Sequence, residues 1–523
     1  MSTPTDPNAR DIFAITGLPP EVLAVGMAKY SRSAASIKET LAELTEEKSA
    51  EFHEKWVLGY GDASVADMAV VALACENVSM LASKAIEDHR LASYQEKSTR
   101  YQSFERKLAA DGTVPPRRYY RPVPVMASAH ANSYTETCEK MFDAYVDLSQ
   151  TMAEYYRQTY PKPEDVTEKM YAAKLKARSL DIARYLLPTA TLTNLGWISS
   201  ARGLRRAIFK MKQHDLDEVR TVARELEAAA TNPAHNPHAQ EIEALLLAAD
   251  PSARPFAEGI KAKLNLQYKG APTLIKYTDP TPYKKDLRRR MHQVAATVLG
   301  DLHILDDEPR VAFYEAVHPE IDLATSLLYD ATNFSYGQIR RVVEDLPILA
   351  RADIIAAGTA DRGPFDVIGR PYEVGGLIFD TLMDYGAFRD LQRHRMCTQL
   401  NQPLTSLHGF EEPPESMGME QAGGLDIFET IIQKAGGLYR AMETDLPYEA
   451  SYVLPMATRK RTLFIMNPRE LTHMVELRSK SGGHMSYREV VRDMLEQVRT
   501  VYPHLVQHIR LAPIDFSADF YKR

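Results

Sequence analysis

The chain has 523 residues, 45% apolar and 25% charged, with a net charge of −7. That length exceeds one ordinary hydrophobic core and predicts two or more domains, while the acidic balance argues against a surface coated for nucleic acid, leaving room for a local basic pocket. Cys75, Cys138 and Cys397 are scattered with no CxxC, which excludes a disulfide framework and a cysteine zinc site and fits a reducing cytosol.

Residues 1–17 read as an N-terminal tail without the apolar core of a signal peptide, and no run of eighteen apolar residues occurs. A cytoplasmic protein with no membrane span is expected. The secondary structure reads as mostly helical, and Val78, Leu81, Ala82 and Ala85 give an apolar stripe at helical spacing. The stripe leads into "EDHRLASYQEKSTRY", residues 87–101, where Arg90 and Arg100 flank Ser93, Glu96 and Ser98. Such a loop is either a solvated helix end with surface ion pairs or an anion cradle, because the guanidinium fork matches phosphate and carboxylate oxygens. Residues 224–249 read as two helices broken at Asn-Pro, and a seam is expected within 250–290, where proline and charge cluster.

Beyond the seam, Phe379, Leu382 and Met383 repeat the helical stripe ahead of "RDLQRHRMCTQLNQP", residues 389–403. Arg393 and Arg395 flank His394 there, which suits either an anion between them or basic groups answering a helix C-terminus. Cys397 is either a buried thiol or a nucleophile whose base nothing marks. "RTLFIM", residues 461–466, alternates like a strand. In "NPRELTHMVELR", residues 467–478, Arg469 and His473 share a helical face with Asn467 and Arg478 close by. That cluster is either structural or a grip for a cofactor's phosphate or ring. Val491, Met494, Leu495 and Val498 mark a last amphipathic helix. The Gly pairs at 375–376, 423–424, 436–437 and 482–483 read as turns or helix ends. The fold class is α+β and helix-rich. GxGxxG, Walker A, HExxH and GxSxG are all absent, so neither a Rossmann dinucleotide site nor a metal site has sequence support.

Three features recur in one order. Pro-Glu followed by Tyr nine residues later occurs at Glu21/Tyr30 and Glu320/Tyr329, and His-Arg at 89–90 and 394–395. "ARYLLPTAT" (183–191) matches "ASYVLPMAT" (450–458). These predict a tandem duplication, with domains at 18–250 and 301–523 and a linker region at 251–300.

With these residues in view, the chain resembles the flavin-dependent thymidylate synthases, the thymidylate synthase complementing proteins, whose signature is close to RHRxxSxNExSxRY. Residues 88–101 match at His89, Arg90, Ser93, Glu96, Ser98, Arg100 and Tyr101, with Asp88 and Gln95 as departures. "YGDASVADMA" (60–69) is similar to the family's GHxSxxEH segment, with Asp62 for His. The second copy keeps Arg393, His394 and Arg395 but has Pro403 and Thr405 at the Ser and Arg positions. Asn467, Arg469, His473 and Arg478 match the family's NxRxxxHxxxxR segment, of which "SARGLRRAIFKM" (200–211) keeps only Arg202.

The resemblance implies two tandem family-like domains forming a pseudo-dimer, with a homodimer of pseudo-dimers standing for the family's tetramer. It implies reductive methylation of dUMP to dTMP, with FAD as cofactor and NADPH and methylenetetrahydrofolate as co-substrates. The losses are complementary, which predicts one composite site and a lapsed reciprocal one. In that site Glu96, Ser98, Arg100, Arg393 and Arg478 would bind substrate, and Arg478 and Ser98 would serve catalysis. Arg393, His394, Arg395, Asn467, Arg469, His473 and Glu96 would hold FAD. Asp390 replaces the family's Gln, and the Arg kept as Arg184 in the first half is Ser451 in the second. Either the substrate differs from dUMP or another arginine such as Arg389 substitutes. The alternatives are a non-catalytic or altered-substrate nucleotide- or flavin-binding paralogue, and a purely structural pseudo-oligomer.

Overall fold

The structure is a computed structural model that describes residues 13–33, 36–59, 63–232, 234–248, 255–256, 259, 269–276, 278–280, 310–314, 318–363 and 366–522. Most of the expected N-terminal tail and linker, and Asp62, lie outside the described residues. The chain divides into two compact units. One comprises Met1–Cys75, Leu91–Gln95 and Leu195–Arg290, the other Glu76–Arg90, Glu96–Asn194 and Met291–Arg523.

In the first unit, proline at N1 starts helix Pro20–Tyr30, which buries Val22, Ala24, Val25 and Ala28. Glu21 on this helix is buried and accepts the backbone N–H groups of Thr273 and Leu274 at 2.7 and 2.8 Å. A buried carboxylate needs such donors to offset its lost hydration. Helices Ala201–Met211 and Asp217–Thr231 pack on each other. The second ends at the Asn-Pro break, and Ala239–Leu247 follows. Parts of three strands, β1 (Val70–Ser79), β2 (Ala92–Glu96) and β3 (Leu192–Ser200), lie in this unit, ordered β1-β3-β2. Trp197 of β3 is 1% exposed and packs its ring 5.7 Å from that of Tyr94.

The second unit carries a sheet ordered β4-β5-β7-β6, from β4 (Val311–Tyr314), β5 (Leu377–Asp384), β6 (Thr398–Asn401) and β7 (Arg459–Met466). Its pairs are antiparallel, with β5 and β7 in register from Leu377↔Met466 to Asp384↔Arg459. Lys460, Thr462, Phe464 and Met466 of β7 point inward by the two-residue period. Helix Ala131–Thr159 packs against Glu168–Ala183 and Leu425–Met442, while Pro468–Arg478 packs on Met485–Val501.

Two helical stripes expected from the sequence are corrected, the first in part. Val78 lies in β1, while Leu81, Ala82 and Ala85 of the first stripe are buried on helix Met80–Glu87 as expected; Phe379, Leu382 and Met383 lie within β5. Buried strands carry apolar residues on both faces, so a short apolar run there imitates a helical period. Gly436 and Gly437 sit inside helix Leu425–Met442 rather than at a turn.

The element order shows the duplication directly. Strand β1, helix Met80–Glu87, β2, the long helix Ala131–Thr159, an added helix Glu168–Ala183, a 3-10 turn at Arg184–Leu186, β3 and two helices form the first series. Strand β5, helix Tyr385–Leu391, β6, helix Leu425–Met442, a turn at Glu449–Val453, β7 and two helices form the second. Within the second unit, the "LP" segments of both series run antiparallel about Pro188 and Pro455. Thr189 and Ala190 donate backbone N–H groups to the carbonyls of Leu454 and Tyr452 at 2.8 and 3.0 Å. Met456 and Ala457 return the same bonds to Leu187 and Tyr185, both at 2.9 Å. Each partner is the other's counterpart at an offset of 267 residues, so the contact is isologous.

Thr189→Pro and Met456→Pro each remove one of these donors and orphan a buried carbonyl, which costs about 1–3 kcal/mol. Differential scanning calorimetry should show similar drops in the melting temperature of the second unit. A loss in one variant with none in the other would contradict the reciprocal contact.

Candidate active site

Two acidic residues organise the basic motifs of the second unit. Glu96 ends β2, and its carboxylate, 1% exposed, pairs with Arg389 and, at 3.2 Å, with Arg393. These arginines sit at the end of helix Tyr385–Leu391 and just beyond it, and Asp384 caps the start of that helix by accepting the Ala387 N–H at 2.7 Å. The ion pair therefore joins first-repeat and second-repeat motif residues. Glu87 lies beside it and accepts from Gln392 Nε2 at 2.9 Å. Burial and the Glu96 charge push its carboxyl up to about 7, against the pull of Arg393 and Arg389.

Asp390 is the second centre. Its carboxylate lies 4.0 Å from Arg393 Nη1 and 3.8 Å from Arg478 Nη1. Burial opposes its ionisation, yet the charges of Arg393, Arg184, Arg100 and Arg478 together hold it below the usual carboxylate range. Two of these arginines come from each repeat. Arg184 is 3% exposed, and its Nε and Nη2 have no hydrogen-bond partner among the described residues. Unsatisfied buried guanidinium nitrogens are rare and point to a missing acceptor.

Arg100 follows Ser98, whose hydroxyl accepts the Arg100 N–H at 3.2 Å and shapes the turn. The guanidinium is buried and fully engaged: Nε donates to Asp181 Oδ1 at 2.8 Å, Nη2 to the Gly482 carbonyl at 3.0 Å, and Nη1 to Tyr487 Oη at 3.4 Å. Arg478 stands over the Tyr487 ring at 5.7 Å, so Tyr487 links Arg100 to Arg478. Ser98 itself lines a separate cleft, formed by the loop that follows it.

His394 is buried and doubly held. Its Nδ1 meets Glu470 Oε1 at 2.9 Å, and its Nε2 accepts Arg478 Nε–H at 3.0 Å. Because arginine can only donate, Nε2 is unprotonated and Nδ1 carries the hydrogen. Burial lowers its pKa, Arg478 and His473 add to this, and Glu470 opposes them. Cys397 is a buried thiol whose pKa burial raises, the environment of an inert cysteine.

Asn467 caps helix Pro468–Arg478 by accepting the Glu470 N–H at 2.9 Å. Arg469 pairs with Glu373, and His473 is exposed with its ring 5.5 Å from that of His394. Asn467, Arg469, Glu470 and His473 line a cleft of about 400 Å³ with Met396 and Arg362, within the size range of small-molecule sites. Arg362 pairs with Glu476 through Nη2, but its buried Nη1 has no hydrogen-bond partner among the described residues. An orphaned donor beside an imidazole and a second arginine fits an acceptor-rich ring or phosphate, as a flavin cofactor presents. Arg395 is half-buried, five residues after Asp390.

Three partners lay outside the sequence reading. Glu470 sits three residues after the N-cap Asn467, the spacing of a capping box, but its side chain turns to His394 instead. Asp181, a buried carboxylate in the last turn of helix Glu168–Ala183, anchors Arg100. Nothing local singled out Tyr487.

A neutral His394 means that the unfolded chain takes up more protons below the ordinary value of 6.5. Its contribution to stability is complete above that pH and is lost as pH falls through the depressed folded value. His394→Gln should therefore flatten the acid limb of a stability–pH curve measured by urea unfolding. An unchanged limb would contradict the neutral, doubly bonded imidazole.

The family model described as thymidylate synthase complementing protein matches residues 15–232 and 367–504. A UPF0159 protein of Chlamydia muridarum is 30% identical, over 97% of this chain and 92% of its own. A flavin-dependent thymidylate synthase of Clostridium tetani is 25% identical, over 35% of this chain and 67% of its own. A solved flavin-dependent thymidylate synthase from Helicobacter pylori, complexed with FAD and dUMP, aligns at 15% identity over 39% of this chain and 100% of that one, with a TM-score of 0.29. By the extent of the family-model match and of the Chlamydia muridarum relative, the chain belongs to the thymidylate synthase complementing protein family, whose model matches it over two successive regions.

Proposed function

We propose that the protein is a flavin-dependent enzyme that reductively methylates dUMP to dTMP at one composite site built from both repeats. The observation that carries this reading is the ion pair of Glu96, from the first repeat, with Arg389 and Arg393, from the second. The counterparts of Glu96, Arg100, Arg393 and Arg478 at the reciprocal position are Asn401, Thr405, Asp88 and Met211. One site keeps its charged groups and the other has exchanged them.

The arginines around Asp390 would receive the nucleotide. Arg184, with two buried nitrogens that have no hydrogen-bond partner among the described residues, would offer donors to a phosphate, and Arg100, whose three nitrogens are each already bonded, would add its charge. Arg478 is oriented by His394 and Tyr487, so its guanidinium is fixed before ligand arrives and could stabilise negative charge developing on the uracil ring. Ser98 would act through the turn that presents Arg100. FAD would lie along Arg393, His394, Arg395, Asn467, Arg469 and His473, and would supply the hydride that NADPH provides to it. Methylenetetrahydrofolate would give the carbon. Glu87, poised near neutrality, can hold or release a proton beside Glu96.

One observation favours a second reading, a paralogue with a less anionic substrate. Asp390 already places a carboxylate among the four arginines that a phosphate would need. The two readings separate on Asp390→Asn. If dUMP binds among these arginines, removing the competing charge should tighten its binding by about tenfold, or roughly 1.4 kcal/mol, in calorimetric titration. Weaker or unchanged dUMP binding would favour the second reading.

NADPH oxidation by the purified chain should require dUMP and should fall at least about a hundredfold in Arg478→Ala, the loss of one transition-state donor. Absence of dUMP-dependent oxidation in the unaltered chain would rule out the thymidylate assignment.

A further inference from the structure

A second cleft in the second unit lies apart from the composite site. It has a volume of about 560 Å³, and its walls are the segment after Ser98, residues 115–118, the start of β3 and Lys176 of helix Glu168–Ala183. Six cationic residues line it, Lys97, Arg106, Lys107, Arg117, Arg118 and Lys176, against one carboxylate, Glu105. This excess is local, since the chain as a whole carries −7. Among the described residues, Lys97, Arg106, Lys107 and Lys176 have no carboxylate within ion-pair distance, and all four are exposed. Like charges gathered around a concave wall repel unless an anion sits between them.

Two buried groups on the same walls lack hydrogen-bond partners. Thr193 is 4% exposed and its Oγ1 makes no hydrogen bond among the described residues. Arg117 is 6% exposed; it pairs with Asp143 and donates from Nη1 to the Phe104 carbonyl at 3.2 Å, but its Nε has no hydrogen-bond partner. The nearest carboxylate to that Nε is Glu139, at 3.9 Å. A hydroxyl and a guanidinium N–H left unsatisfied in a basic cleft describe donors waiting for acceptor oxygens.

We propose that this cleft binds a small molecule carrying several phosphate groups. Multiple charges are required because the cations come from separate walls, more than one orthophosphate could reach. Phosphate is favoured over carboxylate because each group offers three acceptor oxygens, enough to meet the fork of Arg106 or Arg118 and still reach a further donor such as Thr193. The site is distinct from the arginines around Asp390 and stands whether or not dUMP is the substrate there.

Inorganic tripolyphosphate serves as the probe, titrated calorimetrically into the full-length chain at fixed ionic strength. It should bind at least about tenfold more tightly than orthophosphate or tricarballylate. The combined Lys97→Gln, Lys107→Gln and Lys176→Gln variant, altered only at exposed positions, should weaken that binding at least about tenfold. Thr193→Val should weaken it about threefold or more, with the melting temperature confirming that the chain is folded. Arg393→Gln, which alters the other site, should leave it unchanged. Equal affinity for tricarballylate, insensitivity to the triple change, or loss in Arg393→Gln would each overturn the proposal.

Discussion

The second unit depends on the reciprocal pairing of two "LP" segments. Four backbone hydrogen bonds run between residues 185–190 and 452–457, and each has a counterpart related by exchange of the repeats. Buried peptide groups must find partners, and here each repeat supplies those of the other. Around the same axis Tyr385 Oη donates to the Met80 carbonyl at 3.1 Å, and Tyr156 Oη to the Met417 carbonyl at 2.7 Å. This contact brings the first-repeat motif at 96–100 and Arg184 close to the second-repeat motif at 389–395. Covalent linkage of two copies frees one of the two equivalent sites to change, because loss of one no longer entails loss of both.

Electrostatics explain why the retained motif residues are so heavily bonded. Two unit charges about 4 Å apart interact by roughly 4 kcal/mol at the effective dielectric of a protein. Arg393 and Arg478 lie near that distance from Asp390, with the charges of Arg100 and Arg184 acting on it as well. Four guanidiniums without a central anion would repel strongly, so Asp390 and Glu96 let the cluster fold before a ligand arrives. Any anionic substrate must then bind alongside these carboxylates, a constraint that an uncharged Gln at position 390 would not impose.

Much of the architecture was legible where local signals are strong. The Asn-Pro break, the alternating run in β7, the last amphipathic helix and the tandem repeat all follow from period, proline and spacing. The strand containing Phe379 reads as a helix because it is buried on both faces and so loses the two-residue alternation, while Val78 sits one residue before the end of β1, next to the helix that continues its apolar spacing. In the site, the basic motif residues announced themselves, but their acidic partners did not. Asp181 and Glu470 meet Arg100 and His394 across 81 and 76 residues, a pairing set by tertiary contact that no local pattern encodes.

On the proposed function, the two repeats form one complete site and not two. Reconstituting the purified chain with FAD and measuring flavin against protein concentration tests it most directly. One flavin per chain is expected. Two per chain would show that the reciprocal position still binds, and none would remove the flavin site altogether.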